Sequence, residues 1–388
     1  MSDISSEAQK TLARVKAAYD AEMAEARVAY SASEVPQSFE AITAEWLTDA
    51  ICGQVADACI VFHEFGPADD GTTNRRSLTV SYNPAGQAAG LPDRLFCKAS
   101  FGLPNRYALG PCGAIAAEVS FYNNVRPYLD IDATEGVFAV MNDAYNSIVM
   151  LKDISASVTE FCDHTTKVDR LRAESQVRLL AALHGKGASS PPLMAAQRQL
   201  QSWSDLFHGT KLFGLDAGAR AGFDAAGDLI PGRTHKRASE VWAATERAVA
   251  LNESRPHTIM HGDVHLKNWY VTAQGEMGLS DWQCTTHGHW GRDLAYTIGT
   301  ALPVEQRRAW ERDLIALYLD ELGNHGGSTV DFDTAWTIYR QEMLPALAWW
   351  TVTFRPTPDM PDMQPGATAT EFVLRLGTAI DDLETLDA

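Results

Sequence analysis

Apolar and polar positions follow two different rhythms along this chain, and the change falls near residue 152. Residues 7–30 are rich in Ala, Glu and Lys, with Leu12, Val15, Tyr19 and Met23 at helical spacing, which predicts a helix. A second helix is expected near 40–51, opening at Ser38 or Phe39. Runs dense in β-branched and aromatic residues then predict strands over 58–64, 76–82 and 94–98. The first two flank a turn-rich connector, 65–74. A helix follows over about 112–128, with Ile115, Val119 and Tyr122 on one face. Strands over 136–141 and 147–151 complete a five-stranded unit carrying one helix. Beyond Lys152-Asp153-Ile154 the helical period dominates, near 169–184, 192–206, 235–251, 304–322, 332–350 and 368–386. The only clear strand signals there flank residues 261–268, and 355–366, with four prolines, reads as a loop.

Length and composition narrow the class. A chain of 388 residues suggests two domains, and 45% hydrophobic with 21% charged residues is ordinary for a globular protein. A net charge of −18 argues against a nucleic-acid partner, because phosphate binding is driven by Lys and Arg. Residues 1–6 show no basic region leading into an apolar run, and the apolar stretch 344–354 is too short to span a bilayer and contains Pro345. Cysteines at 52, 59, 97, 112, 162 and 284 form no CxxC pair, so buried free thiols in a cytoplasmic protein are expected.

The chemistry concentrates in His261-Gly262-Asp263-Val264-His265-Leu266-Lys267-Asn268 and in Leu279-Ser280-Asp281-Trp282-Gln283. Asp263 and Asn268 share a tight polar loop, and Asp281 ends a short apolar run. Three oxygen-bearing side chains so placed suit a nucleophilic hydroxyl and Mg²⁺, which prefers oxygen ligands. Taken singly, His261-Gly262-Asp263 also reads as a polar turn, and Asp281 as a strand-end cap. Lys98 ends an apolar strand, either solvated or functional, and Glu118 lies beside the inward face of the following helix.

Together these segments resemble the catalytic loop and metal-binding acid of the aminoglycoside phosphotransferase and choline kinase families, which have His-Gly-Asp where protein kinases have His-Arg-Asp. The nearest resemblance is to the ecdysteroid-kinase-like (CHK-kinase-like) branch, through Asp281-Trp282-Gln283, Asp293-Leu294-Ala295-Tyr296, Glu118-Val119-Ser120-Phe121-Tyr122 and Val35-Pro36 followed by Thr43–Leu47. It covers nearly all of the chain from about residue 34, most securely 95–122 and 259–296. The resemblance implies an α+β, protein-kinase-like bilobal fold with ATP and Mg²⁺ between the lobes. It divides the chain into an N-terminal helical extension (1–33), an antiparallel-sheet N-lobe with one main helix (34–152) and a mainly helical C-lobe with the catalytic loop and acceptor site (153–388). The extension is expected to pack on the main body or on a second subunit, as in a homodimer.

Residue by residue, the resemblance makes Asp263 the catalytic aspartate and Asn268 and Asp281 the Mg²⁺ ligands. Lys98, paired with Glu118, contacts the α- and β-phosphates. Gly66 and Gly71 with Thr72, Thr73 and Asn74 stand in for the missing glycine-rich phosphate loop. Leu151 marks the hinge that meets adenine, and Asp153 is structural. His261 holds the loop together, His265 either contacts phosphate or supports the loop, and Asp293 and His184 support the scaffold. Asp293 is also expected to cap the helix it opens. Gly185-Lys186-Gly187 lacks the rest of a phosphate loop and reads as a helix end.

The acceptor implied is a small alcohol, lipophilic or sugar-like. Trp290 and 349–354 are read as an acceptor pocket or, more simply, as core. Two other readings stay open: a catalytically silent kinase fold that binds a ligand, and a metal-dependent hydrolase built on His257, His261, His265, His287 and His289.

Overall fold

The computed structural model describes residues 6–25, 27–211, 214–356 and 364–388; residues 1–5, and much of the loop expected over 355–366, lie outside them. The chain forms two compact units, one running to Pro127 and resuming at Thr134–Ala156, the other holding Tyr128–Ala133 and Ser157–Ala388.

The first unit contains α1 (Ser6–Glu25), α2 (Ala44–Cys52), β1 (Ile60–Phe65), β2 (Asn74–Tyr82), α3 (Pro84–Ala88), β3 (Arg94–Ala99), α4 (Leu103–Leu109), α5 (Ala114–Ser120), β4 (Gly136–Met141) and β5 (Ser147–Lys152). Its five strands form an antiparallel sheet in the order β1-β2-β3-β5-β4. Alternation puts Leu78, Val80, Leu95 and Cys97 on one face, where they meet Trp46, Leu47 and Ile51 of α2. Among the described residues the small unit carries four helices besides α1, where two were expected, near 40–51 and over 112–128. The helix predicted over 112–128 begins at Ala114, after Gly113 (φ +84°), and α4 is a separate, unforeseen helix that ends before Pro111. After Ser120 the chain continues in a wider turn over Phe121–Val125. The helix expected near 40–51 begins later, at Ala44, because Thr43 Oγ1 accepts the Trp46 N–H at 3.1 Å and caps it.

The N-terminal helix ends at Glu25, short of the predicted 30, and it packs on its own unit. Glu22 is the anchor. Its carboxylate takes Arg106 Nη1 at 2.5 Å and Asn146 Nδ2 at 2.6 Å. Arg106 is fully buried, with the Tyr19 ring 4.8 Å from its guanidinium carbon.

The second unit contains β6 (Val158–Phe161), α6 (Arg170–Ser189), α7 (Pro191–Gln197), α8 (Trp203–Lys211), α9 (Leu215–Ala226), α10 (Gly232–His235), α11 (Ala238–Ser254), β7 (Thr258–Met260), β8 (Trp269–Thr272), β9 (Met277–Leu279), β10 (Thr286–Gly288), α12 (Gly291–Ala301), α13 (Val304–Asn324), α14 (Phe332–Gln341), α15 (Met343–Phe354) and α16 (Gly366–Asp382). Two small antiparallel sheets, β6-β8-β9 and β10-β7, interrupt the helices. Strand β6 lies outside the loop-flanking signals, and α9 was not foreseen because Gly218 and Gly222 weaken its pattern. Gly222 has a packing reason: a Cβ there would stand 1.9 Å from the Thr351 carbonyl oxygen of α15. The helix predicted over 192–206 divides into α7 and α8, and that over 332–350 divides at Glu342. Every residue of α12 is buried, so this helix forms the centre of the unit. Gly185 and Gly187, part of the Gly-Lys-Gly stretch, lie within the last turns of α6 and let it approach His325 and Thr258. Among the described residues no helix is long and apolar enough to cross a membrane.

The α+β class expected from the sequence is the one observed, with a five-stranded antiparallel sheet in the first unit and a mainly helical second unit. Removing one partner of a buried ion pair strands a charge at a cost of about 3 kcal/mol. Glu22→Ala is therefore expected to lower unfolding free energy by about that amount in urea titration, and Lys16→Ala, which removes the exposed pair with Asp20, to leave the midpoint in place.

Candidate active site

The loop after β7 is built around one buried carboxylate. Asp293, in the first turn of α12, accepts the His261 N–H at 2.7 Å on Oδ2 and the Gly262 N–H at 3.0 Å on Oδ1. The imidazole of His184 reaches Oδ2 at 3.3 Å, and its other nitrogen meets the Tyr318 hydroxyl at 2.7 Å. Burial opposes ionisation of Asp293, but His184, His261 and Arg292 reverse the balance and hold it below its ordinary range. The expectation that Asp293 caps its own helix is therefore corrected: its oxygens serve the loop instead, and no side chain caps α12.

Gly262 sits at φ +81°, and a Cβ there would lie 2.3 Å from the Cys284 carbonyl oxygen. His261 spans the loop it begins. Its Nδ1 takes the Asp263 N–H at 3.2 Å and its Nε2 faces the Ser280 carbonyl at 2.9 Å, a pattern that requires the neutral Nε2–H tautomer. Burial also lowers its proton affinity, in the same sense.

Asp263 emerges from this frame with about a quarter of its side chain exposed (26%). Oδ1 accepts the Tyr296 hydroxyl at 3.1 Å; Oδ2 faces His265 Nε2 and Asn268 Nδ2, each at 3.4 Å. Burial would push its carboxyl up, but His265, His261 and the Tyr296 hydroxyl together hold it well below the usual carboxylate range. Asn268, a buried residue, also donates from Nδ2 to the Asp263 carbonyl at 2.7 Å, so its amine is engaged on the loop. Ser280 donates to the Asn268 carbonyl twice, from its N–H at 2.8 Å and its hydroxyl at 2.9 Å. That pairing brings Asp281, the next residue, beside Asn268. Asp281 itself adopts φ +63°, a left-handed conformation uncommon outside glycine.

In the first unit, Lys98 Nζ meets Glu118 Oε1 at 2.5 Å, both side chains nearly buried. Lys98 lies opposite Arg75 on β2 and Val149 on β5. In the connector, Thr72 is half-buried and Thr73 buried, and Asn74 Oδ1 accepts the Phe101 N–H at 3.1 Å. Asn105 Nδ2 bonds the carbonyls of Thr72 at 2.8 Å and Gly71 at 3.3 Å. Asn105 was not singled out from sequence, and nothing local marks it. Leu151 is buried on β5 opposite Phe96, and Asp153 Oδ1 accepts the Ser155 N–H at 2.8 Å.

The aromatic run of α15 is mostly core. Trp350 is buried against His265, with ring centroids 5.2 Å apart, and against Phe372; Trp290 is buried against Tyr318. A cavity lined by Phe223, Trp242, Leu347 and Thr351 lies among α9, α11 and α15 and includes none of the loop residues. The histidines do not converge. His257 and His287 face one another at 2.8 Å, and both nitrogens of His261 are spent on the loop. Among the described residues no three of His, Cys, Asp and Glu gather where they could hold one metal ion.

Residues 153–329, which contain Asp263, Asn268, Asp281 and Asp293, match the APH model, the phosphotransferase enzyme family. The similarity to that family spans a little under half of the chain and takes in the whole of the loop described above. No curated protein matches the chain. Among solved structures, choline kinase LicA from Streptococcus pneumoniae is similar at 13% identity over 83% of this chain and 94% of its own, with a TM-score of 0.44. The GDP complex of aminoglycoside 2'-phosphotransferase-IIIa shares 10% identity over 87% and 98%, with a TM-score of 0.49. Plasmodium vivax ethanolamine kinase shares 10% over 82% and 81%, with a TM-score of 0.45.

Two glycines separate conformational strain from collision. Gly262 and Gly275 both have positive φ, +81° and +86°, but a Cβ at Gly275 would meet open space. Gly275→Ala should cost about 1 kcal/mol for the left-handed backbone alone. Gly262→Ala should cost about 1–3 kcal/mol more, from overpacking. Urea titration of both variants checks this, and equal losses would contradict the placement of the Cys284 carbonyl.

Proposed function

We propose that this protein is an ATP- and Mg²⁺-dependent small-molecule kinase that transfers the γ-phosphoryl group to a hydroxyl. The observation that carries the reading is the clustering of Asp263, Asn268 and the Asp281-bearing strand end on a loop braced by Asp293. The donor set fits the ion: the Asn268 amide oxygen and the Asp281 carboxylate are hard oxygen ligands, and the Asn268 amine is already spent on Asp263. When bound, Mg²⁺ offsets the charge on the nucleotide's phosphates.

In this reading the acceptor hydroxyl lies against Asp263. Its oxygen forms the new bond to the γ-phosphorus as the bond to the β-phosphate bridging oxygen breaks, and its proton passes to the Asp263 carboxylate. A carboxylate of low proton affinity suits orientation of the hydroxyl more than early proton removal. Lys98, held by Glu118, is read as the contact to the α- and β-phosphates. The backbone of 71–74, with Thr72, is read as the phosphate cover, and the Leu151 region as the adenine-binding hinge. Residues 34–152 then act as the N-lobe and 153–388 as the C-lobe. The segments shared with the ecdysteroid-kinase-like branch favour an alcohol on a lipophilic or sugar-like molecule. The six free cysteines suit a reducing, cytoplasmic setting.

The test is ATP consumption with Mg²⁺ against small alcohols, sterols, aminoglycosides and choline-like amines. Asp263→Ala should lower kcat by about 10²–10⁴-fold while sparing nucleotide affinity. Asp281→Ala should weaken Mg²⁺-nucleotide binding itself, read by titration calorimetry. Full turnover in Asp263→Ala would refute the mechanism. Tight Mg²⁺-ATP binding with no acceptor turned over would favour a silent kinase fold.

A further inference from the structure

Tyr296 stands one residue short of a full turn after Asp293 on α12, and the function above gives it no task. Its side chain is buried, with its hydroxyl on Asp263 Oδ1 at 3.1 Å. Burial and the adjacent Asp263 raise the proton affinity of the phenol well above its ordinary value, so it is always the donor in this pair. The other oxygen of Asp263 has only the two longer contacts, at 3.4 Å, to His265 and Asn268. A carboxylate's terminal torsion is broad, and a donor on one oxygen is what restricts it.

Behind Tyr296 is an unusual support. Arg292 precedes it by four residues on the same helix face, and its guanidinium carbon lies 4.2 Å from the Tyr296 ring centroid. The Trp203 ring closes the other side at 4.6 Å. Arg292 is fully buried, and Nε, Nη1 and Nη2 have no hydrogen-bond partner among the described residues. A buried cation without hydrogen bonds is costly, and here its compensation comes from two aromatic faces. The ring of Tyr296 is thereby clamped from behind, and its hydroxyl has one acceptor in front.

We propose that Tyr296, backed by Arg292, is a positioning residue for phosphoryl transfer: it fixes the Asp263 carboxylate through Oδ1 and leaves Oδ2 to meet the acceptor hydroxyl. This rests on the kinase reading of Asp263. The charged and titratable groups around that carboxylate are His261 and His265 from its own loop and Tyr296 and Arg292 from α12, with Asp281 acting on His261. Helices α15 and α16 contribute Trp350 and Phe372 against His265, which do not titrate in the working range.

The experiment compares full-length wild type, Tyr296→Phe and Asp263→Ala, with kcat, acceptor KM and Mg²⁺-ATP affinity measured for each. Tyr296→Phe removes one oxygen and keeps the ring on Arg292. It is expected to lower kcat roughly 10–100-fold, the worth of a hydrogen bond to a charged group, with Mg²⁺-ATP affinity unchanged. Because the carboxylate is positioned for the transfer step, the loss should fall on kcat with acceptor KM little changed. A rise in acceptor KM or a loss of Mg²⁺-ATP affinity as large as the fall in kcat would make Tyr296 merely structural and overturn the proposal, as would unchanged kinetics. Full turnover in Asp263→Ala would instead sink the kinase reading and the proposal with it.

Discussion

The loop from His261 to Asn268 depends on the placement of one carboxylate. Asp293 collects two backbone N–H groups and an imidazole in the interior of the helical unit, and each of those donors would be costly to leave unpaired there. Because α12 is buried along its whole length, Asp293 cannot shift without disturbing the centre of the unit. The loop therefore takes its geometry from the helical core, and the left-handed turn at Gly262 follows from that attachment.

From that anchor the remaining contacts follow in order. His261, fixed by its N–H, turns its ring to receive the Asp263 N–H and to reach Ser280. Ser280 then ties the end of β9 to Asn268, and Asn268 returns to Asp263. The result is a closed ring of hydrogen bonds in which every member has few alternatives, the arrangement that lets a site hold charge without reorganising. In the first unit, the Lys98–Glu118 pair shows the same economy: two nearly buried groups of opposite charge meet at 2.5 Å.

Much of this was legible in the sequence, for reasons of range. The loop from His261 to Asn268 and the acid at Asp281 are recognisable because their spacing is local, and the five strands because their short runs are dense in β-branched and aromatic residues. The Lys98–Glu118 pairing was anticipated from a strand end and a helix face twenty residues apart. What escaped depends on register between distant elements. Nothing near Tyr296 says that its hydroxyl will meet Asp263 (33 residues away), or that Arg292 will be stacked rather than paired. Asp293 was read as a scaffold residue that also caps the helix it opens, whereas the unpaired donors of the loop took both of its oxygens. Thr43 moved a helix start because its hydroxyl was free to accept, and Gly218 and Gly222 hid α9 because close packing on α15 favours residues that helix propensity disfavours.

The most direct measurement is a crystal structure of the chain soaked with Mg²⁺ and a non-hydrolysable ATP analogue. The account predicts the metal on Asn268 and Asp281, the triphosphate end directed at Asp263, and the Asp263 carboxylate still held by Tyr296. A nucleotide bound away from these residues, or a metal held by histidines, would contradict it.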